Sequence, residues 1–181
     1  YVGTENGGIN YYDRMKDQFY PINATSFPED YQSQAKALSQ ASISAIATDA
    51  IGQIWIGTFS QGLFILQKNS AGDFSAIRHF FSEVSKSNFQ VNAVKADKEG
   101  KIWMGTDHGL FQAKPGNVTS DNHSDYLIEA DFSLYNVEVL HFDSIGNLWM
   151  GADDKIFYTA SYFLADPETM EFHSIHDSYS F

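Results

Sequence analysis

The chain of 181 residues has no cysteine and few basic residues. The lack of cysteine excludes disulfides, thiol chemistry and Cys-ligated zinc, and it is compatible with either a cytosolic or a periplasmic protein. Lys and Arg number 11 against 23 Asp and Glu, which gives a net charge of -12. Such a surface repels phosphate, and no basic stripe or basic helix offsets it. We therefore expect no nucleic-acid partner.

Long apolar runs are also missing. No segment approaches the roughly 18 apolar residues of a membrane span, and no signal peptide is recognisable. The sequence opens inside a repeat unit, at residues 1–4, so we expect a fragment whose targeting segments and membrane anchor lie outside it. A hydrophobic fraction of 43% is ordinary for a globular protein. We expect one architectural unit, residues 1–181.

One motif is repeated three times without gaps, in residues 49–58, 97–106 and 143–152. Each copy reads Asp-x-x-Gly-x-Ile/Leu-Trp-Ile/Met-Gly, and residues 1–4 form a partial copy with Tyr1 in the Trp place. The motif glycines lie 54, 48 and 46 residues apart, at Gly3, Gly57, Gly105 and Gly151. This period is typical of β-propeller blades.

Each copy predicts four antiparallel strands, because β-branched runs alternate with turns rich in Asp and Gly. The fold class is therefore all-β, a β-propeller fragment with three full blades and one partial blade. The predicted blades are residues 1–27, which lack a first strand, 43–81, 91–135 and 137–175. An insertion at 28–42 has helical character, and the polar stretch 115–125 predicts a surface loop.

The motif residues are interpreted as scaffold. Tryptophan fills the space between blades, aspartate shapes the turn, and glycine lets another backbone approach closely. These positions are Trp55, Trp103, Trp149, Gly57, Gly105, Gly151, Asp49, Asp97 and Asp143.

The motif, followed by Gly-Leu-Phe in two copies, resembles the two-component regulator propeller repeat. That resemblance implies the extracytoplasmic, periplasmic sensor region of a hybrid two-component histidine kinase, of the kind common in glycan-foraging gut bacteria. It implies an oligosaccharide ligand and signalling through rearrangement of a homodimer in a membrane-anchored parent protein. The kinase part would lie outside this chain, so we expect no enzymatic activity, cofactor or metal here.

The blade count raises a separate question, because three blades and a part cannot close the seven-bladed ring usual in this family. Either the chain is a piece of a larger propeller, or two copies associate. In the second case residues 176–181 would supply the missing first strand of the partner. Departures from the repeat pattern occur at Tyr1, Ala152 and Lys155.

Catalytic motifs are not apparent. No two of the six histidines have helical zinc-site spacing, and no nucleophile elbow or phosphate loop is present. A sialidase would need an arginine cluster, but the only arginines are Arg14 and Arg78. A carbohydrate-active or lyase-like propeller and a protein-interaction propeller remain open alternatives.

A ligand is expected at the loops that join second to third strands, which share one face with the connections between blades. Phe59 and His108 could stack on or bond to a sugar, while carboxylates and amides bond its hydroxyl groups. The predicted ligand-binding residues are Glu5, Asn6, Phe59, Ser60, Gln61, Asp107, His108, Asp153 and Asp154.

Overall fold

The computed structural model describes residues 1–80, 89–113, 127–129, 135–160 and 171–175. These ranges contain one three-stranded and three four-stranded antiparallel sheets. Within each sheet every strand pairs with its neighbour along the chain, as in propeller blades. The predicted fold class is confirmed. The loop at 115–125, the stretch 176–181 and parts of the predicted blade ranges lie outside the described residues.

The strands follow each other blade by blade. The first sheet contains β1 (Val2–Gly3), β2 (Ile9–Asp13) and β3 (Gln18–Pro21). The second contains β4 (Ile43–Thr48), β5 (Ile54–Thr58), β6 (Leu63–Lys68) and β7 (Phe74–Phe80). The third contains β8 (Val91–Ala96), β9 (Ile102–Thr106), β10 (Gly109–Ala113) and β11 (Leu127–Glu129). The fourth contains β12 (Val137–Phe142), β13 (Leu148–Ala152), β14 (Lys155–Thr159) and β15 (His173–Ser174).

Along the chain, helical structure separates the strands of the first sheet from those of the second. Two short 3-10 helices, Ala24–Ser26 and Glu29–Tyr31, precede the helix α1 (Gln32–Ser39). The helix buries Ala35 and Leu38 in a core shared with the second sheet. The chain that follows the helix and leads into β4 contacts the loop between β1 and β2. There the N–H of Gly8 donates to the Ala41 carbonyl at 3.0 Å.

The motif aspartate joins the turn to the tryptophan of the next strand. Asp49 Oδ1 accepts hydrogen bonds from the backbone N–H of Ile51 (3.1 Å) and Gln53 (2.8 Å). Its Oδ2 accepts from the indole Nε1–H of Trp55 at 2.8 Å. One carboxylate thus satisfies three donors that the folded hairpin would otherwise leave unpaired.

This arrangement recurs in the other two copies. Asp97 accepts from Trp103 at 2.9 Å, and Asp143 accepts from Trp149 at 3.0 Å. The hydrogen bond from the Trp149 indole lowers the pKa of Asp143 below its ordinary value, and hydrogen bonds from Asn147 and Ile145 act in the same direction. Desolvation of the carboxylate by burial acts in the opposite direction. The aspartate of the repeat is therefore a hydrogen-bonding partner of the core tryptophan as well as a turn residue.

The glycines two residues after Trp55 and Trp103 mark where blades meet. A Cβ placed on Gly57 would lie 2.8 Å from Val91 Cγ1 and 2.9 Å from the Val91 carbonyl oxygen. On Gly105 it would lie 2.7 Å from Val137 Cγ1. The position is therefore occupied by the first residue of the next blade, and a side chain there would force the blades apart.

The core lies between consecutive sheets. Trp55 packs in a cluster with Val94 and Met104 of the third sheet, and Trp103 packs with Leu140 and Met150 of the fourth. Trp55 and Trp103 are fully buried. The first strands β4, β8 and β12 of consecutive blades lie side by side, and the apolar contacts between blades stabilise that arrangement.

Candidate functional site

The predicted loops lie next to the connections between blades. The backbone N–H of the first loop residue donates to the residue that precedes the first strand of its own blade, and this contact occurs in all three complete blades. The pairs are Phe59 to Ser42 (3.1 Å), Asp107 to Gln90 (3.2 Å) and Asp153 to Asn136 (3.1 Å). The loops and the inter-blade connections thus share one end of the molecule.

A threonine hydroxyl closes three of these loops. The Oγ1–H donates to a glycine carbonyl across the hairpin, and in the second blade Thr58 Oγ1 also accepts from the Gln61 N–H at 2.9 Å. Ala152 takes the threonine place in the fourth blade and lacks this bond. The pairs are Thr4 to Gly8 (3.0 Å), Thr58 to Gly62 (2.8 Å) and Thr106 to Gly109 (2.9 Å).

A cavity of about 480 Å³ opens between the loops of the first and second blades. It is lined by Gly3, Thr4, Glu5, Ser42, Ile43 and Phe59. Phe59 is 51% exposed, so much of its ring is available to a bound molecule. We call this cavity the inter-blade pocket.

Ser42 fixes the wall of the inter-blade pocket. Its Oγ accepts from the Asn6 backbone N–H at 3.0 Å and donates to Asn6 Oδ1 at 2.9 Å. Its carbonyl accepts from the Phe59 N–H. The two loops that carry Glu5 and Phe59 are therefore held together by one residue that the repeat analysis did not select.

The chemistry of the inter-blade pocket is mixed. Phe59 offers an apolar ring face, Glu5 offers carboxylate acceptors, and Thr4 and Ser42 contribute hydroxyl groups. This combination can stack on the apolar face of a sugar ring while accepting hydrogen bonds from its hydroxyl groups. A concave site of this size with a few polar groups is typical of small-ligand binding.

The third-blade loop forms a separate group. His108 Nδ1–H donates to Asp107 Oδ1 at 2.8 Å, and the same oxygen accepts from the Gln90 N–H at 3.0 Å. The His108 ring stacks on Phe89 with centroids 4.9 Å apart. His108 is therefore positioned by its own blade and does not line the inter-blade pocket.

The other predicted residues are more dispersed. Ser60 is exposed, and the Gln61 carbonyl accepts a hydrogen bond from His79 Nε2–H at 2.6 Å. Asp153 and Asp154 are exposed in the fourth-blade hairpin, where Asp153 has φ of 49°. Of the nine predicted residues, the structure brings Glu5, Asn6 and Phe59 together.

His79 contacts the second-blade loop through its hydrogen bond to the Gln61 carbonyl. Its ring stacks on Phe64 at 3.9 Å, and burial lowers its pKa, while the hydrogen bond to the Gln61 carbonyl acts in the opposite direction. Burial disfavours the charged imidazolium, so the neutral ring is the form that this packing stabilises.

The described residues also bear on metal binding and on membrane insertion. No group of three or more His, Asp or Glu side chains in these ranges is arranged to hold a metal ion. Among the same residues, no helix has the length and apolar character needed to cross a bilayer.

The arrangement of sheets defines the chain as part of a β-propeller. Residues 37–60, which run from the end of α1 to Ser60, match the family model of the two component regulator propeller. The resemblance inferred from the repeat is thereby confirmed. No curated protein matches the sequence.

Solved structures share the fold at low sequence identity. The extracellular domain of the hybrid two component system BT4673 from B. thetaiotaomicron is 18% identical with a TM-score of 0.64, over 95% of this chain and 20% of that one. That of BT3049 from the same organism is 18% identical with a TM-score of 0.54, over 92% and 22%. PorZ, a surface component of the type-IX secretion system of Porphyromonas gingivalis, is 14% identical with a TM-score of 0.60, over 93% and 24%. The chain thus spans between a fifth and a quarter of the length of these proteins.

Proposed function

We propose that this chain is part of the ligand-sensing, extracytoplasmic propeller of a hybrid two-component sensor histidine kinase. The family match at residues 37–60 supports this role. In the proposal the propeller lies in the periplasm, the parent protein is anchored in the inner membrane, and ligand binding rearranges a homodimer. The chain itself performs no catalysis.

The proposed ligand is an oligosaccharide bound in the inter-blade pocket. The observation that carries this assignment is the exposed Phe59 ring beside Glu5 in a cavity of about 480 Å³. An aromatic face next to carboxylate and hydroxyl groups suits a neutral polyol ring. The pocket joins two blades, so a ligand there contacts two structural units whose relative position it can influence.

The test is a calorimetric titration of the chain with a panel of neutral oligosaccharides. For any saccharide that binds, we expect Phe59→Ala to weaken the affinity at least about tenfold, because it removes the stacking surface. Phe19→Ala is the matched control, since Phe19 is 60% exposed on β3 and away from the pocket. Equal affinities for wild type and Phe59→Ala would reject the placement.

Glu5 is tested in the same way. Glu5→Gln keeps the size of the side chain but removes the charge that strengthens hydrogen bonds from hydroxyl groups, so we expect a weakening of about threefold to tenfold. Glu29→Gln provides the control, because Glu29 is exposed beside α1. If Glu29→Gln weakens binding as much as Glu5→Gln, the effect is one of overall charge and the assignment of Glu5 fails.

A further inference from the structure

The first strand of each complete blade carries a β-bulge at the same position. The pairing register shifts between Ile43 and Ala45, between Val91 and Ala93, and between Val137 and Val139. The extra residues are Ser44, Asn92 and Glu138. A bulge re-aims the side chain of its extra residue, so the repeated bulge presents one polar side chain on the first strand of each complete blade.

Two of these side chains hold neighbouring blades together. Ser44 Oγ–H donates to the Val91 carbonyl, and Asn92 Nδ2–H donates to the Val137 carbonyl at 3.0 Å. Each acceptor is the first residue of the next blade's first strand. In these two blades the bulge thus has a structural role.

Glu138 has a different role, because a carboxylate accepts hydrogen bonds and does not donate them. Asn92 Nδ2 donates to Asn136 Oδ1 at 2.9 Å, and Asn136 Nδ2 donates to Glu138 Oε1 at 3.2 Å. Asn136 thus connects Asn92 to an exposed carboxylate that forms no ion pair with a described residue.

Glu138 lines a groove of about 450 Å³ formed by the first strands β4, β8 and β12. Ala93 and Val139 contribute apolar surface to this groove, and Lys95 and His141 line it further along the strands. Lys95 is exposed and likewise forms no ion pair within the described part of the chain. We call this the first-strand groove. It holds an acid and a base that do not neutralise each other.

The spacing of these charges defines the size of a complementary molecule. Asn136 connects Glu138 to Asn92, so Glu138 lies at the Asn92 end of the groove, and Lys95 lies three residues beyond Asn92 along β8. Three residues of a strand span about 10 Å. A ligand whose cationic and anionic groups are about that far apart can pair with both Glu138 and Lys95.

The backbone of the groove also offers hydrogen-bonding groups to a ligand. β4, β8 and β12 are each the edge strand of their sheet. An edge strand has N–H and C=O groups that can pair with an added extended chain. A peptide can meet these groups and both charges, whereas a neutral sugar leaves the charges unpaired.

We propose that the first-strand groove binds a short peptide with free termini, about three residues long. Its ammonium group lies at Glu138 and its carboxylate at Lys95, with small side chains against Ala93 and Val139. This site is separate from the inter-blade pocket and does not depend on saccharide binding there.

The probe is trialanine, titrated into the 181-residue chain and followed by shifts of backbone amide signals in NMR spectra. We expect saturable shifts in β8 and β12. Acetylation of the peptide amine or amidation of its carboxylate should each raise the Kd about threefold to fivefold, as expected for one exposed ion pair. Glu138→Gln should lose the difference between free and acetylated peptide, and Lys95→Gln the difference between free and amidated peptide.

Matched controls separate these ion pairs from overall charge. Glu29→Gln and Lys36→Gln remove the same charges from exposed positions around α1 and should leave the Kd unchanged. Absence of saturable shifts with trialanine would overturn the proposal. Equal affinity for free and doubly blocked peptides would overturn it too, as would shifts confined to the inter-blade pocket.

Discussion

Substitution of the motif glycines provides a sharp test of how the blades dock. Gly57→Ala places a methyl group 2.8 Å from Val91 Cγ1 and 2.9 Å from the Val91 carbonyl oxygen. The methyl of Val91 could move with its side chain, but its carbonyl belongs to β8 and cannot rotate away. Gly151→Ala has a nearest contact of 3.6 Å, to Val139 Cβ, which is an ordinary packing distance.

The two substitutions should therefore have opposite signs. Gly57→Ala overpacks the junction between blades, which typically lowers the free energy of unfolding by about 1–3 kcal/mol. Gly151→Ala introduces no clash, and by restricting the unfolded chain it should raise that free energy by about 0.4–1 kcal/mol. The backbone at neither glycine has a positive φ, so alanine is conformationally acceptable at both.

Urea unfolding followed by tryptophan fluorescence measures both effects, since each motif tryptophan lies in a blade. We expect a lower midpoint for Gly57→Ala and an equal or higher midpoint for Gly151→Ala, with unchanged slopes. Equal destabilisation by the two substitutions would refute the argument that the glycine is required by the neighbouring blade.

Two further predictions concern hydrogen bonding and pH. Asp97→Asn replaces one of two accepting oxygens by an NH2 group, which leaves either the buried Trp103 indole N–H or the turn N–H groups without an acceptor. It should lower the free energy of unfolding by about 1–3 kcal/mol in a denaturant titration, whereas exposed Asp154→Asn should have little effect. Equal effects would show that the carboxylate does not stabilise the blade through these bonds. The lowered pKa of His79 means that the unfolded state binds its proton more readily, so stability should increase as pH rises through the window below the ordinary value of 6.5 and level off above it. His79→Gln should remove that part of the slope in urea midpoints measured at several pH values, and an unchanged slope would show that another group is responsible.

Much of the fold could be predicted because the repeat encodes it locally. Period-two strands, Asp-Gly turns and the blade period all follow from residues close together in sequence. The role of glycine as a place of close approach was predicted, and the structure identifies the approaching residue as Val91 for Gly57 and Val137 for Gly105. The repeat did not indicate the hydrogen bond from each tryptophan to its aspartate, because a turn residue and a core residue were interpreted separately.

The candidate site was less accessible to sequence reasoning. The loops were chosen by their place in the repeat, so the corresponding loop of every blade was predicted to bind the ligand. The insertion before β4 makes the first junction different, because the hydroxyl of Ser42 at its end bonds to the backbone N–H and the side-chain oxygen of Asn6. That contact joins residues 36 positions apart in sequence, and repeat alignment gives no signal for it.

His108 illustrates the same point from the other side. It occupies a loop equivalent to that of Phe59, and both were predicted to contact the ligand. In the structure His108 stacks on Phe89 and bonds to Asp107, whereas Phe59 remains exposed in a cavity. Equivalent loops of the repeat therefore have different surroundings, which only the arrangement of neighbouring side chains reveals.

The most direct test of the proposed sensor role is to map a bound oligosaccharide by backbone amide shifts in NMR spectra of the 181-residue chain. The account predicts that the largest shifts fall on Glu5, Asn6, Ser42 and Phe59. Reaching them should take at least about tenfold more saccharide in Phe59→Ala but no more in Phe19→Ala. Shifts centred on another part of the chain, or shifts that Phe59→Ala leaves intact, would contradict it.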